Sequence, residues 1–260
     1  MNIFVLCDLE GAAGVVDFHT QTYDNTRYND QAKNLSTLEV NALVDGALEG
    51  GADQVIVLDG HGSGGINIEM IHYEARVMFG RPLISVWDVG IDFDAMFLYG
   101  HHAMENTPAG VLCHSWSSRA ISNCWLNGEL IGEIGFNVAS AGEAGVPTAF
   151  ISGDRAAVDE AKAYVENIEG VVVKEGLSRT AALTLSPAKA RDLIREGAKK
   201  AMGRIGEMAP YRTAGPYTFE TEFRAESSAA SKASGPGVER VDTHTVRITG
   251  DTLAEIAKRR

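Results

Sequence analysis

The chain of 260 residues is 45% hydrophobic and 22% charged, which is enough apolar material for a sizeable core and the proportions of an ordinary globular enzyme. Its formal charge of -12 at pH 7 repels nucleic acid and anionic lipid, so neither is an expected partner. The longest apolar runs, near 3–7, 55–58 and 95–98, fall far short of the roughly 20 residues that cross a bilayer.

The N-terminus opens directly on a strand-like run, Asn2 to Cys7, with no basic region, longer apolar stretch or cleavage site of a signal peptide. A cytoplasmic protein is expected, and the three cysteines, Cys7, Cys113 and Cys124, cannot all pair. A strand at 2–7 is followed by a helix near 37–50, a strand at 54–58, a short strand within Glu74 to Gly80 and a strand near 94–99. The stretch from Val111 to Glu129 ends in Asn127-Gly128, a turn signal that predicts a hairpin or strand end. Beyond it the pattern predicts a helix near 129–144, a strand at 147–152, a helix near 154–166 and a strand at 170–174. A long helix starts at Ser186-Pro187, an N-cap followed by proline at the first helical position. Late strands at 216–224 and 242–249 flank a Ser/Ala/Gly-rich segment, 226–237, read as a flexible loop, and a short helix closes the chain from Leu253. The alternation predicts an α/β fold: a layered α/β/α arrangement with a mostly parallel sheet, plus a smaller mixed C-terminal lobe. Residues 1–260 are read as one unit, or two intimate lobes without a marked boundary.

Side chains able to bind metal fall where these strands end. Asp8 and Glu10 follow the first strand, His61 follows the second through Asp59-Gly60, and His102 follows the strand near 94–99 through Gly100 and His101. In open α/β sheets the carboxyl ends of parallel strands line the ligand crevice, so separate segments deliver ligands to one edge. Asp8 and Glu10, two residues apart, point the same way while the backbone stays extended. Taken alone, such an acid pair is a common loop feature. Gly11 beside it permits a sharp turn. The glycine run Gly60 to Gly65 around His61 is no phosphate loop, because no Lys-Ser/Thr follows, and Gly11 to Gly14 is no dinucleotide fingerprint. His101 and His102 face opposite ways in an extended segment, so one of them ligates, and spacing does not choose between them. Glu133 lies on the polar stripe of its helix, as a solvated residue would.

Five ordered blocks resemble the D-aminopeptidase family of zinc enzymes: Cys7-Asp8-Leu9-Glu10-Gly11, Asp59-Gly60-His61, Gly100-His101-His102-Ala103, Val111-Leu112-Cys113-His114-Ser115 and Gly132-Glu133-Ile134-Gly135. Gly153 to Ala156, Ser178 to Ala182 and Leu185-Ser186-Pro187 are similar landmarks, and the likeness covers nearly the whole chain. The resemblance implies two zinc ions per subunit, bridged by Asp8, with Glu10 and His61 completing one site and His102 and Glu133 the other. It implies His114 as the catalytic nucleophile or acid/base. It also implies a ring-shaped homo-oligomer, a decamer being the size considered, with active sites facing an internal cavity, although the short C-terminus departs from the family's closing helix. The implied activity is a metallo-aminopeptidase that removes the N-terminal residue of short peptides, D-Ala-led ones first. Two other readings compete: a dinuclear phosphoesterase, which would normally carry Asp-x-His where this chain has Asp8-Leu9-Glu10, and a non-catalytic peptide-binding scaffold.

Overall fold

The computed structural model describes residues 1–80 and 85–260. Helix α1 (Asn29–Glu49) links strand β1 (Asn2–Cys7) to β2 (Gln54–Asp59), and β3 (Ala75–Met78) and β4 (Ala95–His101) follow. Next come β5 (Ile121–Leu126), β6 (Glu129–Leu130), α2 (Glu133–Glu143), β7 (Thr148–Asp154), α3 (Arg155–Tyr164), β8 (Glu169–Ser178), β9 (Ala181–Thr184) and α4 (Pro187–Met202). The chain closes with β10 (Tyr217–Phe223), α5 (Glu226–Ala233), β11 (Val238–Arg240), β12 (Thr245–Gly250) and α6 (Leu253–Arg259).

The larger sheet has the order β3-β2-β1-β4-β7-β8-β9 and is parallel except for the edge strand β9. Its strands are apolar on both sides, as a doubly covered parallel sheet requires. Ile3, Val5, Val55 and Val57 pack beneath α1 and α4, while Phe4, Met96, Leu98 and Ile151 pack against α2 and α3. That alternation gives the three α/β/α layers. Because β2 and β3 lie to one side of β1 and β4 to the other, the strand order switches direction at β1, and the crevice opens at the carboxyl ends of β2, β1 and β4.

The smaller sheet, β11-β12-β10-β5-β6, is antiparallel throughout. It is not wholly C-terminal, because β5 and β6 enter from mid-chain through the Asn127-Gly128 turn; both turn residues have positive φ. Its core sets Trp116, Phe136 and Phe219 edge to face, with centroids 5.4–5.8 Å apart. The segment expected to be a flexible loop forms α5 up to Ala233. Alanine is the best helix former, and Ala229 is fully buried, which outweighs the serines. Helix α1 starts at Asn29, earlier than expected, because its first turns are largely polar and show little apolar periodicity. Residues 129–130 pair as a strand, so α2 begins only at Glu133. Among the described residues, no helix is long and apolar enough to cross a membrane, and all three cysteines are buried and free.

Candidate metal centre

Asp8 leaves the end of β1, and its backbone N–H donates to Tyr99 on β4 at 2.9 Å. Gly11 N–H donates to Gly100 O at 2.6 Å. A Cβ on Gly11 would collide with the backbone of Gly100 and His101, and one on Gly100, at φ +68, with the backbone of Asp8. Gly11 is therefore needed for close approach of two backbones, not for the sharp turn the sequence suggested, and that approach brings Asp8 beside His102.

The expected residues gather in two triads. Asp8, Glu10 and His61 form one, and His102, His114 and Glu133 the other; within each triad the donor atoms lie within 4.8 Å of one another. His61 Nδ1 is 3.1 Å from both Asp8 Oδ1 and Glu10 Oε2. His102 Nε2 is 3.3 Å from Asp8 Oδ2 and 3.4 Å from Glu133 Oε1. Asp8 thus touches both triads, one carboxylate oxygen toward each. His101 points elsewhere, its Nδ1 3.1 Å from Tyr99 O. Glu133 is the first residue of α2, where a carboxylate suits the helix dipole, and it accepts from Trp116 N–H at 2.7 Å.

Each imidazole is tethered by its other nitrogen to a backbone carbonyl: His61 Nε2 to Thr22 O at 3.0 Å, His102 Nδ1 to Ala103 O at 3.0 Å, and His114 Nδ1 to Leu112 O at 2.9 Å. If those nitrogens carry the protons, the inward nitrogens of His61 and His102 turn lone pairs toward carboxylates. That arrangement is repulsive unless a cation lies between them, and it is the outer-shell pattern of metal-binding histidines. Glu10 Oε2 is buried and accepts no hydrogen bond, despite its closeness to His61. Three carboxylates and three imidazoles with too few protons to share fit a divalent metal with borderline-soft preference.

Without such a cation the cluster holds protons instead. Burial pulls His61 and His102 down, but the carboxylates of Glu10 and Asp8, and of Asp8 and Glu133, more than offset it and hold both well above the usual range. Burial likewise opposes ionisation of Asp8 and Glu133, yet hydrogen bonds from the imidazoles hold Asp8 well below the ordinary range and Glu133 down to about 2. His114 is lowered, by burial and by the charge of His102, whose ring stacks on it at 3.9 Å.

Residues the sequence did not flag hold this set in place. Lys174 of β8, 1% exposed, donates to the carbonyls of Glu10 at 2.5 Å, Ala12 at 2.9 Å and Val15 at 2.5 Å. Burial brings its pKa down to about 8. A lysine that directly follows the apolar run Val171-Val172-Val173 was the available signal. The carboxylate of Glu105 lies between Arg179, at 2.9 Å, and Arg224, at 2.8 Å, and Arg179 also donates to Cys113 O, next to His114. Arg179 lies in the Ser178 to Ala182 landmark, whose pattern alone gives it no role. The triads open onto a cavity of about 570 Å³ that is also lined by Tyr23, Trp116, Arg119 and Arg260.

A family model described as D-aminopeptidase matches residues 1–259. A D-aminopeptidase of Bacillus subtilis (strain 168) is 29% identical over 259 residues, spanning 98% of this chain and 93% of the relative. The solved structure of the Zn-dependent D-aminopeptidase DppA from Bacillus subtilis, described as a self-compartmentalizing protease, superposes with a TM-score of 0.90 at 28% identity, covering 100% of this chain and 95% of that one.

Proposed function

From the premise that this chain belongs to the D-aminopeptidase family, we propose that Asp8, Glu10 and His61 hold one zinc ion and that Asp8, His102 and Glu133 hold a second. The protein is a zinc-dependent aminopeptidase; the number of ions and the ligand roles are our reading. The observation that carries it is the set of imidazoles tethered outward to backbone carbonyls, with two of them turning their inward nitrogens onto carboxylates. Bound zinc supplies Lewis acidity, polarising the scissile carbonyl and lowering the pKa of water from about 15.7 to about 7.

The chain's own residues supply the rest. Asp8 serves both sites because its two oxygens face different triads. His114, with Nδ1 engaged by Leu112 O, presents Nε2 to the cavity, where it takes a proton from the attacking water and passes it to the departing amine. Phe18, edge-on to the His114 ring at 5.4 Å, restricts water on that side. A second reading of His114 rests on its place in the second triad, where it would be a further ligand.

The substrates are short peptides with a free N-terminus, D-Ala-led ones first, and the two sheets act together as one peptidase unit, because the loop between β4 and β5 and the start of α2 supply half of the donors. The D preference follows the relatives, which are D-aminopeptidases. A homo-oligomer is part of the reading, supported by the self-compartmentalizing description of DppA, with a ring as its form. Neither the phosphoesterase nor the scaffold reading draws support from these relatives.

Metal analysis of the purified protein, followed by a panel of D- and L-led dipeptides, their N-acetylated forms and phosphate monoesters, tests this function. Two equivalents of zinc and cleavage restricted to free-amine peptides are expected. Preferential hydrolysis of phosphate esters, or full activity in metal-free protein, would overturn it.

A further inference from the structure

Two cations line the cavity that holds the donor atoms, and nothing in the zinc chemistry uses them. The guanidinium of Arg119 lies 3.8 Å from the centre of the Tyr23 ring, and that of Arg260 lies 4.2 Å from Trp116 and 5.2 Å from Phe136. Neither makes an ion pair or a side-chain hydrogen bond within the described residues, whereas Arg179 and Arg224 are each committed to Glu105. A guanidinium held against an aromatic face rather than an acid keeps its fork of N–H donors available to a carboxylate. Of the carboxylates that line the cavity, Asp8, Glu10 and Glu133 are committed to zinc in this reading, and Asp24 is the other one.

Both arginines line the same cavity as the donor atoms, where the product end of a short peptide would lie. Trp116 joins the two features, because its backbone N–H donates to Glu133 Oε1 at 2.7 Å while its indole carries the Arg260 guanidinium. In a dipeptide the terminal carboxylate lies about 3.5 Å beyond the scissile carbonyl, and in a tripeptide about 7 Å. A cavity of about 570 Å³ has room for either.

We propose that Arg119 and Arg260 form a clamp for the free C-terminal carboxylate of the substrate, received in the cavity that holds the zinc ligands. The inference rests on the aminopeptidase reading for its orientation, since the amine end must face the zinc ligands. A peptide without a free carboxylate loses the contact.

The zinc-loaded protein is assayed on D-Ala-D-Ala and on its C-terminal amide, in the wild type, R119Q, R260Q and the double variant. The wild type is expected to prefer the acid by about tenfold or more in kcat/KM. Each single variant should reduce that preference through KM, the double variant should abolish it, and R260K should keep part of it. Thermal melts and zinc content establish that the variants remain folded and loaded. Equal rates on acid and amide in the wild type, or a preference that survives in the double variant, would overturn the clamp. Calorimetric titration of zinc-loaded H114A with D-Ala-D-Ala, with and without R119Q/R260Q, gives a readout independent of turnover. If no free-amine peptide is cleaved, the aminopeptidase reading fails, while unchanged affinity between those two proteins separately rejects the clamp.

Discussion

The two halves of the donor set are built by different means. Asp8, Glu10 and His61 hang from β1 and β2, whose parallel register runs through six consecutive pairs and ends with Cys7 opposite Asp59. His102, His114 and Glu133 come from a strand end, a loop with both Leu112 and Trp116 at positive φ, and the first residue of α2. The sheet's own hydrogen bonds locate the first half. The second depends on tethers across the chain: His114 N–H to Ala103 O, Leu112 N–H to Arg179 O, and Glu105 between its two arginines. A site built this way combines a fixed half with one that a single lost tether can misplace.

Asp8 is the one residue that belongs to both halves, and removing it tests their union most severely. Asp8→Ala should lower activity by about three orders of magnitude or more, the scale of losing several kcal/mol of charge stabilisation. Its zinc content should fall at both sites, while Glu10→Ala should lose the first ion alone. Equal zinc occupancy in the two variants, measured by elemental analysis, would argue against the bridge.

His114 is the member whose place in its half is least settled by geometry. As a proton carrier it should, when changed to alanine, cost about 100- to 10,000-fold in kcat with both ions retained. Loss of one zinc in His114→Ala would make it a ligand and give the second half a donor of its own, leaving the first unchanged.

The first half was legible in the sequence because strand ends are. Alternating apolar runs locate β1, β2 and β4, and the polar residues just beyond them mark the crevice. Glu133 was not legible that way: the pattern extended its helix back to 129, which makes it a mid-helix solvated residue, whereas β6 takes 129–130 and leaves Glu133 at a helix start facing inward. Only the family resemblance singled it out. Lys174 and Glu105 escaped for a related reason, since their partners are 162 and 74 residues away and no local period encodes such contacts. The helix at 226–233 was missed because serine and glycine content masks the one buried position, Ala229, that anchors it.

Lys174 sharpens the contrast, because its three hydrogen bonds all go to the loop that follows Asp8. Lys174→Met keeps the length and removes every donor, stranding three carbonyls at an expected cost of about 4 kcal/mol in folding stability. Zinc affinity should fall more at the Asp8–Glu10–His61 site than at the other, measured by competition with a chelator. Equal weakening of both sites, or an unchanged denaturation midpoint, would show that the loop needs no such pin.

Glu39 holds the same loop from the opposite side, and its effect should be the smallest and the most sensitive to pH. Its carboxylate, buried on α1, accepts from Ala13 N–H at 3.1 Å and from the Tyr99 hydroxyl at 3.0 Å. Burial raises its pKa to about 7, against opposing hydrogen bonds from Tyr99 and Ala13. An acid whose folded pKa is raised binds its proton more tightly in the native state, so stability falls as pH climbs from the ordinary carboxylate range toward 7. Below that window the group is neutral in both states, and above it the full penalty persists. Each tenfold rise in proton affinity corresponds to about 1.4 kcal/mol, which makes the penalty about 3 kcal/mol at pH 8. Glu39→Gln keeps the shape and an acceptor for Ala13 but cannot ionise. The variant should therefore match the wild type near pH 4.5 and exceed it by that amount at pH 8. Because the zinc ligands titrate alike in both proteins, the difference between two urea titrations taken across this range reports Glu39 together with the charge it lends to Lys174. A flat difference would mean that the carboxylate is solvated in the native state.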